Sequence, residues 1–514
     1  MTHSSQPTPL ELLRHKAQSL NMRMGLRALA DFAWEYVRKS RGEQWEPPES
    51  VIWKSFRVPY VAKRLLLDAA PGTRYMGQPV TRQDTHYLLD RALDHSGYAF
   101  ERLAKPTLQD FEAYAQRATL QQRHFQMVWR QEISRALYIY RDLLPRVAPE
   151  LHADILLRCA DLPDANMDMF FALTWVIFQG PQGHEFTRGD LARLLKATPI
   201  TEEQIDAFLQ SMSATPREYA RRLRELPAAA PEVEFYEHNP LLERPLVEVH
   251  PRRYIAPSPD CLLYRLAHGP YYALYNRYCE LEGRPDNSFS VGFGSVFEEY
   301  VCEEARTSAA SLTVLEEFTY DGKRFADCSV VGSDEALLLE CKTARVRLGA
   351  QIAGGGPDLE AFVEQCITKA LRQLKRCICE ARQGGTGRCV DGLRRYHPAI
   401  VIMQPFWFVN AGWVRDLVDP TAVPPAGCDT AAYQVLSISD LEDTVAMCPP
   451  VDLFSLLEEK SAPDRYGNSF GNFLWELRRR HRIRELRHAI LAETWEALGD
   501  RFGSLMGLGH GGQD

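Results

Sequence analysis

From about Pro9 to Leu226 apolar residues recur three and four positions apart, with breaks at Pro or Gly, which is the spacing of amphipathic helices. Leu26, Leu29, Phe32, Ala33 and Tyr36 form one stripe; Phe125, Val128, Trp129, Ile133, Leu137 and Tyr140 form another. Such stripes predict the core of a helical bundle. Thr187 to Met212 reads as two short helices, starting where Thr187 precedes Asp190 and Thr201 precedes Gln204, with Pro199 between them. A bundle hairpin is preferred there to a DNA-reading helix-turn-helix, because the second helix carries Glu202, Glu203 and Asp206 where phosphates would want Arg or Lys. Leu226 to Glu232, rich in Pro and Ala, reads as the linker to a second region.

After the linker the pattern predicts strands at Pro245–Val249 and Arg253–Ala256, then a helix from about Asp260 to Leu281 whose tyrosines serve the core. Beyond residue 290 helix and strand alternate. Gly294–Ala305 reads as a helix, while Leu312–Tyr320, Lys323–Val331 and Ala336–Thr343 read as strands. A Gly-rich loop at Gly354–Pro357 leads into a helix from Leu359 to about Arg382, and Ala399–Val409 reads as a buried strand. The order is α, β, β, β, α, β. The expected division is a helical region at 1–226, a linker at 227–240, an α/β domain at 241–420 and a C-terminal extension at 421–514 packing on it.

The chain has 514 residues, 45% of them hydrophobic and 25% charged, which excludes a mostly disordered or disulfide-stapled protein. A formal charge of -8 argues against a surface that coats nucleic acid throughout, though a local basic groove is compatible with it. Lysine supplies only 11 of the 60 basic residues, so each lysine stands out. Twelve scattered cysteines, with no signal-like opening and no long apolar span, fit a cytoplasmic protein with reduced thiols and no membrane partner. There is no phosphate loop of the G-x-x-x-x-G-K-[ST] kind, so any NTPase activity would come from a partner protein.

The chemistry concentrates in Phe325 to Lys342. Gly332-Ser-Asp-Glu335 is a turn between two β-rich runs. Whether Ser333 and Asp334 are the tip or all four residues form the loop, opposed residue numbers total 667, which sets Asp327 across from Glu340. A longer turn would bring in Asp334 or Glu335 instead. Facing carboxylates repel unless a cation lies between them. Lys342 shares the face of Glu340 by strand alternation. Asp327 and Glu340, with the Cys341 backbone carbonyl as a further oxygen, suit Mg²⁺ or Mn²⁺, and Lys342 suits orientation of water or stabilisation of developing charge.

The acidic Asp327 followed by Glu340-Cys-Lys342 resembles the signature of the PD-(D/E)XK superfamily, the restriction-endonuclease-like nucleases, over roughly residues 285 to 410. The resemblance implies an αβββαβ core, a mixed central sheet flanked by helices, and metal-dependent cleavage of nucleic acid, most simply DNA. It also implies a helix glutamate that helps hold metal, for which Glu298 is the first choice and Glu299 the second, and a Gln-rich helix face at Gln365, Lys369 and Gln373 that positions substrate. Ala326 stands where the family often has Pro. Restriction, phage defence or repair are the settings that the resemblance suggests.

Cys366, Cys377, Cys379 and Cys389 match no familiar cluster or zinc spacing and read as buried thiols. Arg478, Arg479, Arg480, Arg482 and Arg484 lie in a dense basic run, read as a helix, that is a candidate nucleic-acid contact. The rival to a nuclease is a nucleic-acid-binding or assembly subunit that keeps the fold without cutting.

Overall fold

The computed structural model describes residues 7–40, 54, 57–68, 80–102, 128–179, 185–225, 238–308, 311–343, 357–404, 409–425, 427, 429–448, 450–483 and 485–505. The expected linker at 226–232, the loop at 344–356, Phe125 and Arg484 lie outside these residues. The fold is mixed α/β.

Helices dominate the first half, and their boundaries follow local chemistry. Pro9–Ser19 starts at a capping box in which Thr8 and Glu11 satisfy each other's backbone N–H. Arg188–Leu194 and Glu202–Met212 start the same way, at Thr187 with Asp190 and at Thr201 with Gln204. The acidic face of the second of these helices is answered within the chain, because Arg188 bonds Asp206 at 2.5 Å and Glu202 at 3.0 Å. Leu26, Leu29 and Ala33 are buried, as are Ile133 and Leu137, whereas Val128 is exposed at the head of its helix.

This half is not purely helical. Strand β1 (Glu185–Thr187) and β2 (Ser213–Ala214) belong to it, while β3 (Leu246–His250) and β4 (Arg253–Ile255) follow the expected linker. The four make one sheet in the order β1-β4-β3-β2, so hydrogen-bonded pairing crosses the expected boundary. One hydrophobic cluster likewise runs from Leu13 through Phe170, Leu262 and Leu339 to Leu498.

The Pro259–Glu282 helix, with Tyr271 and Tyr278 buried, leads into the Ser288–Arg306 helix. Then come β5 (Thr313–Glu316), a small hairpin of β6 (Thr319–Tyr320) and β7 (Lys323–Arg324), β8 (Cys328–Val331) and β9 (Glu335–Lys342). The hairpin turns on Asp321 and Gly322, with φ of 43° and 71°, the left-handed pair that matches strand twist. A helical stretch, Pro357–Arg382, precedes β10 (Arg395–Ile402) and β11 (Gln434–Ser437).

The main sheet has the order β11-β10-β9-β8-β5. β9 pairs with β10, and β10 with β11, in parallel; β5–β8 and β8–β9 are antiparallel. Strand alternation divides its faces: Cys328, Val330, Leu337 and Leu339 enter the large cluster, and Val331, Ala336 and Leu338 pack with Val363, Leu371 and Leu374.

Two expected strands are therefore interrupted. Between Glu316↔Cys328 and the Phe325 N–H bond to the Phe318 carbonyl, one strand has only Glu317 while the other has Ala326 and Asp327. That extra residue is a β-bulge, a feature that re-aims side chains. The expected C-terminal extension also does more than pack on the sheet. It supplies β11 as an edge strand, and its last helix, Ala489–Leu505, sets Trp495 against Trp175 of the helical half.

Candidate functional site

The turn between β8 and β9 is short: the Gly332 N–H donates to the Glu335 carbonyl at 2.9 Å. Gly332 lies beneath Phe454, where a Cβ would come within 2.6 Å of the ring. The ladder runs from Val331↔Ala336 to Cys328↔Leu339, so paired numbers total 667 and the next pair outward is Asp327 and Glu340. Asp334 and Glu335 stay at the far end of the hairpin, where Arg394 pairs with both and His397 bonds Glu335 at 2.7 Å.

Asp327 lies just past the last ladder pair, and its Oδ2 accepts the Cys341 N–H at 2.7 Å. The carboxylate thus replaces a strand partner for a buried backbone donor. Glu340 is only 2% exposed; one oxygen accepts from Lys342 Nζ at 2.7 Å and the other has no hydrogen-bond partner among the described residues.

Two more carboxylates complete the group. Glu298, from the Ser288–Arg306 helix, and Glu317, opposite the bulge, each offer an oxygen, and these and an Asp327 oxygen all lie within 4.8 Å of one another. Glu299, the second choice on that helix, turns to Arg306 at 3.1 Å. Glu317 was not identified from the sequence. The β5–β8 register continues outward from Glu316↔Cys328 to Glu317 opposite Asp327, but counting from the Asp321-Gly322 turn sets Glu317 against Ala326, so the cross-strand rule applied to the sequence passes it by.

Crowding of like charge shifts the titration of the group. Burial first, then Asp327 and Glu317, push the Glu298 carboxyl up to about 7. Burial and then Asp327 push Glu340 up to about 8. Asp327 is raised chiefly by burial, against the pull of Lys342 and the Cys341 N–H. Burial opposes charge on Lys342, but Glu340 and Asp327 outweigh it and raise its pKa. The donors are all oxygens, negative charge is in excess, and one buried oxygen lacks a donor; a hard divalent cation would answer each of these conditions.

Of the expected substrate-positioning trio, Lys369 and Gln373 lie four apart on one regular helix and share a face, while Gln365 lies in the turn before it. That turn, Val363–Thr368, is π-helical, and its longer repeat offsets Gln365 from the Lys369 and Gln373 row. Gln365 and Lys369 are exposed and make no hydrogen bond or ion pair among the described residues. Gln373 is half-buried and donates to the Phe325 carbonyl at 3.4 Å, and Arg376 donates to the Arg324 carbonyl at 2.9 Å. Both hold the backbone just ahead of the bulge. Cys302 Sγ contacts the Asp327 carbonyl at 3.7 Å from the opposite face.

The basic run is only partly helical. The helix ends at His481, and Arg482 takes a left-handed φ of 56°. Arg479 lies over Trp475, Arg480 pairs with Glu459 at 2.6 Å, and Arg478 acts electrostatically on Asp443. Of the four cysteines read as buried thiols, Cys366 and Cys377 are buried, whereas Cys379 and Cys389 are exposed. No described helix is long and apolar enough to cross a membrane.

Comparisons of the chain with family models, with curated proteins and with solved structures each find no match.

Proposed function

We propose that this protein is a divalent-metal-dependent nuclease that hydrolyses phosphodiester bonds of nucleic acid, DNA in the first instance. The observation that carries this reading is Glu340: a buried carboxylate with one oxygen on Lys342 and one without a donor, in a crowded group with Asp327 and Glu298. The strand-helix order and the mixed sheet around it support the resemblance to the PD-(D/E)XK superfamily.

Asp327, Glu340 and Glu298, with the Cys341 carbonyl as a further oxygen, would hold Mg²⁺ or Mn²⁺. Bound there, the ion would polarise a phosphoryl oxygen and lower the pKa of a coordinated water. Lys342 contributes a fixed positive charge, because its ammonium is tied to Glu340 and its pKa is raised. That charge suits stabilisation of the negative charge that builds on the phosphate as the bond breaks. Gln373 and Arg376 keep the strand entering the bulge in place, and with it Asp327. A role in restriction, phage defence or repair, and a partner that supplies NTPase or targeting activity, follow from the family resemblance alone.

The test is degradation of linear, circular and single-stranded DNA by the full chain with Mg²⁺, with Mn²⁺ and with EDTA. Cleavage should need the metal and fall at least 100-fold in Glu340→Ala and in Lys342→Ala, on the order seen when charge-stabilising groups are removed. Equal degradation by parent and variants would overturn the reading. Metal-independent binding without cleavage would favour a non-cutting nucleic-acid-binding subunit.

A further inference from the structure

Glu317 has a partner that the other three carboxylates lack. The Arg324 guanidinium reaches both its oxygens, Nε to Oε1 at 3.2 Å and Nη1 to Oε2 at 3.5 Å. The Arg324 side chain is 76% exposed and the Glu317 side chain 26%. Its root, in contrast, is fixed: the Arg324 carbonyl accepts from Arg376 at 2.9 Å. A solvent-facing arm thus hangs from a fixed point beside the acidic group.

The two cations at the site differ in how firmly they are held. Lys342 is committed to a carboxylate that is 2% exposed, in a place where solvent does not compete. Arg324 makes a long, exposed pair, of the kind that contributes little and is readily given up. The acidic group itself points to a ligand: oxygens of Glu298, Glu317 and Asp327 lie within 4.8 Å of one another, and buried Glu340, on which the Glu298 charge acts, has an oxygen with no donor among the described residues.

We propose that Arg324 is a tethered competitor for the divalent cation, occupying Glu317 in the metal-free protein and swinging into solvent when Glu317 turns to the ion. This rests on the metal-dependent reading above and adds to it a fourth carboxylate ligand and a device that weakens metal loading. Glu317 is then a ligand that becomes available only after an ion pair opens. The arrangement prevents the like charges of Glu298, Glu317 and Asp327 from facing each other unrelieved in the absence of metal.

The experiment is direct Mn²⁺ binding to the full chain, by calorimetry and by the loss of the free-ion electron paramagnetic resonance signal, without nucleic acid. Arg324→Gln should tighten binding by about two- to five-fold, the range that opening one exposed ion pair represents. Glu317→Gln should weaken it. Arg324→Gln introduced into Glu317→Gln should change nothing further, because the competition has lost its object. Equal tightening in both backgrounds would mean that Arg324 acts only as a diffuse charge, and no tightening in either would mean that it does not compete; each overturns the proposal while leaving the nuclease reading intact. A parent chain that binds no Mn²⁺ overturns both.

Discussion

Glu340 and Lys342 depend on each other unequally. Glu340 cannot reach solvent, whereas Lys342, with its side chain 24% exposed, can. Replacing Lys342 by Met removes the only hydrogen bond to the Glu340 side chain found among the described residues and leaves both oxygens without donors. The expected cost is about 1–3 kcal/mol of stability, the desolvation penalty of a stranded buried polar group. Adding Glu340→Leu should return most of that loss, since an apolar side chain leaves no buried polar atom without a partner. Urea unfolding of parent, single variants and double variant in EDTA checks this; additive losses in the double variant would contradict it. The pairing of Asp327 with Glu340 was legible because a two-residue turn leaves only one register for β8 and β9. Glu317 was not, because its position opposite Asp327 depends on a bulge at Ala326 and Asp327 that strand alternation does not announce.

Among the elements, the Ser288–Arg306 helix links the site to the rest of the protein. Near its middle Glu298 faces the carboxylates; further along, Glu303 accepts from Tyr138 at 2.6 Å and pairs with Arg146. Between them Tyr300 donates to Glu442 at 2.6 Å, and its hydroxyl lies 3.1 Å from Glu304. One hydroxyl proton cannot serve two carboxylates. Glu442 also receives both arms of the Arg135 guanidinium at 2.5 Å, so Glu304 is left to keep its own proton and donate it to the tyrosine oxygen. Burial first, and then Glu442, raise the Glu304 pKa above its ordinary 4.5. For an acid raised in the folded state, the folded protein binds more protons than the unfolded one between the two pKa values. Stability therefore falls as pH climbs from about 4.5 to the raised value, and is level above it. Glu304→Gln should flatten that fall, so that the variant matches the parent near pH 5 and melts above it near pH 8; a constant difference in melting temperature across that range would count against this account. The helix itself was legible as an amphipathic run. The acids on it were not recognised, since Tyr138, the partner of Glu303, and Glu442, which shares the Tyr300 hydroxyl with Glu304, lie 165 positions from Glu303 and 142 from Tyr300 in sequence.

For the whole molecule, the contacts do not divide where the composition does. The Pro- and Ala-rich stretch after Leu226 looked like a border because its local pattern is weak, yet β1 and β2 on one side pair with β4 and β3 on the other. Arg135 is bonded to Glu442 on a helix that follows β11, and Trp175 meets Trp495 near the end of the chain. These long-range pairings have no signature in residue spacing, which reports the face an element buries but not what covers it. Residues 241–420 alone would lose the strands flanking β3 and β4, the edge strand β11, and the apolar surface of Leu441, Leu453 and Leu474. That fragment should melt without a sharp transition, while the intact chain should unfold in one dominant cooperative step. Arg135→Met should lower that step by about 3–5 kcal/mol, the cost of stranding a buried carboxylate, and should not detach a separate transition from it. Calorimetry of the intact chain, the fragment and the variant distinguishes the possibilities: two resolved transitions in the intact chain, with the fragment reproducing one of them, would mean that the border at the linker is real and that the contacts across it contribute little.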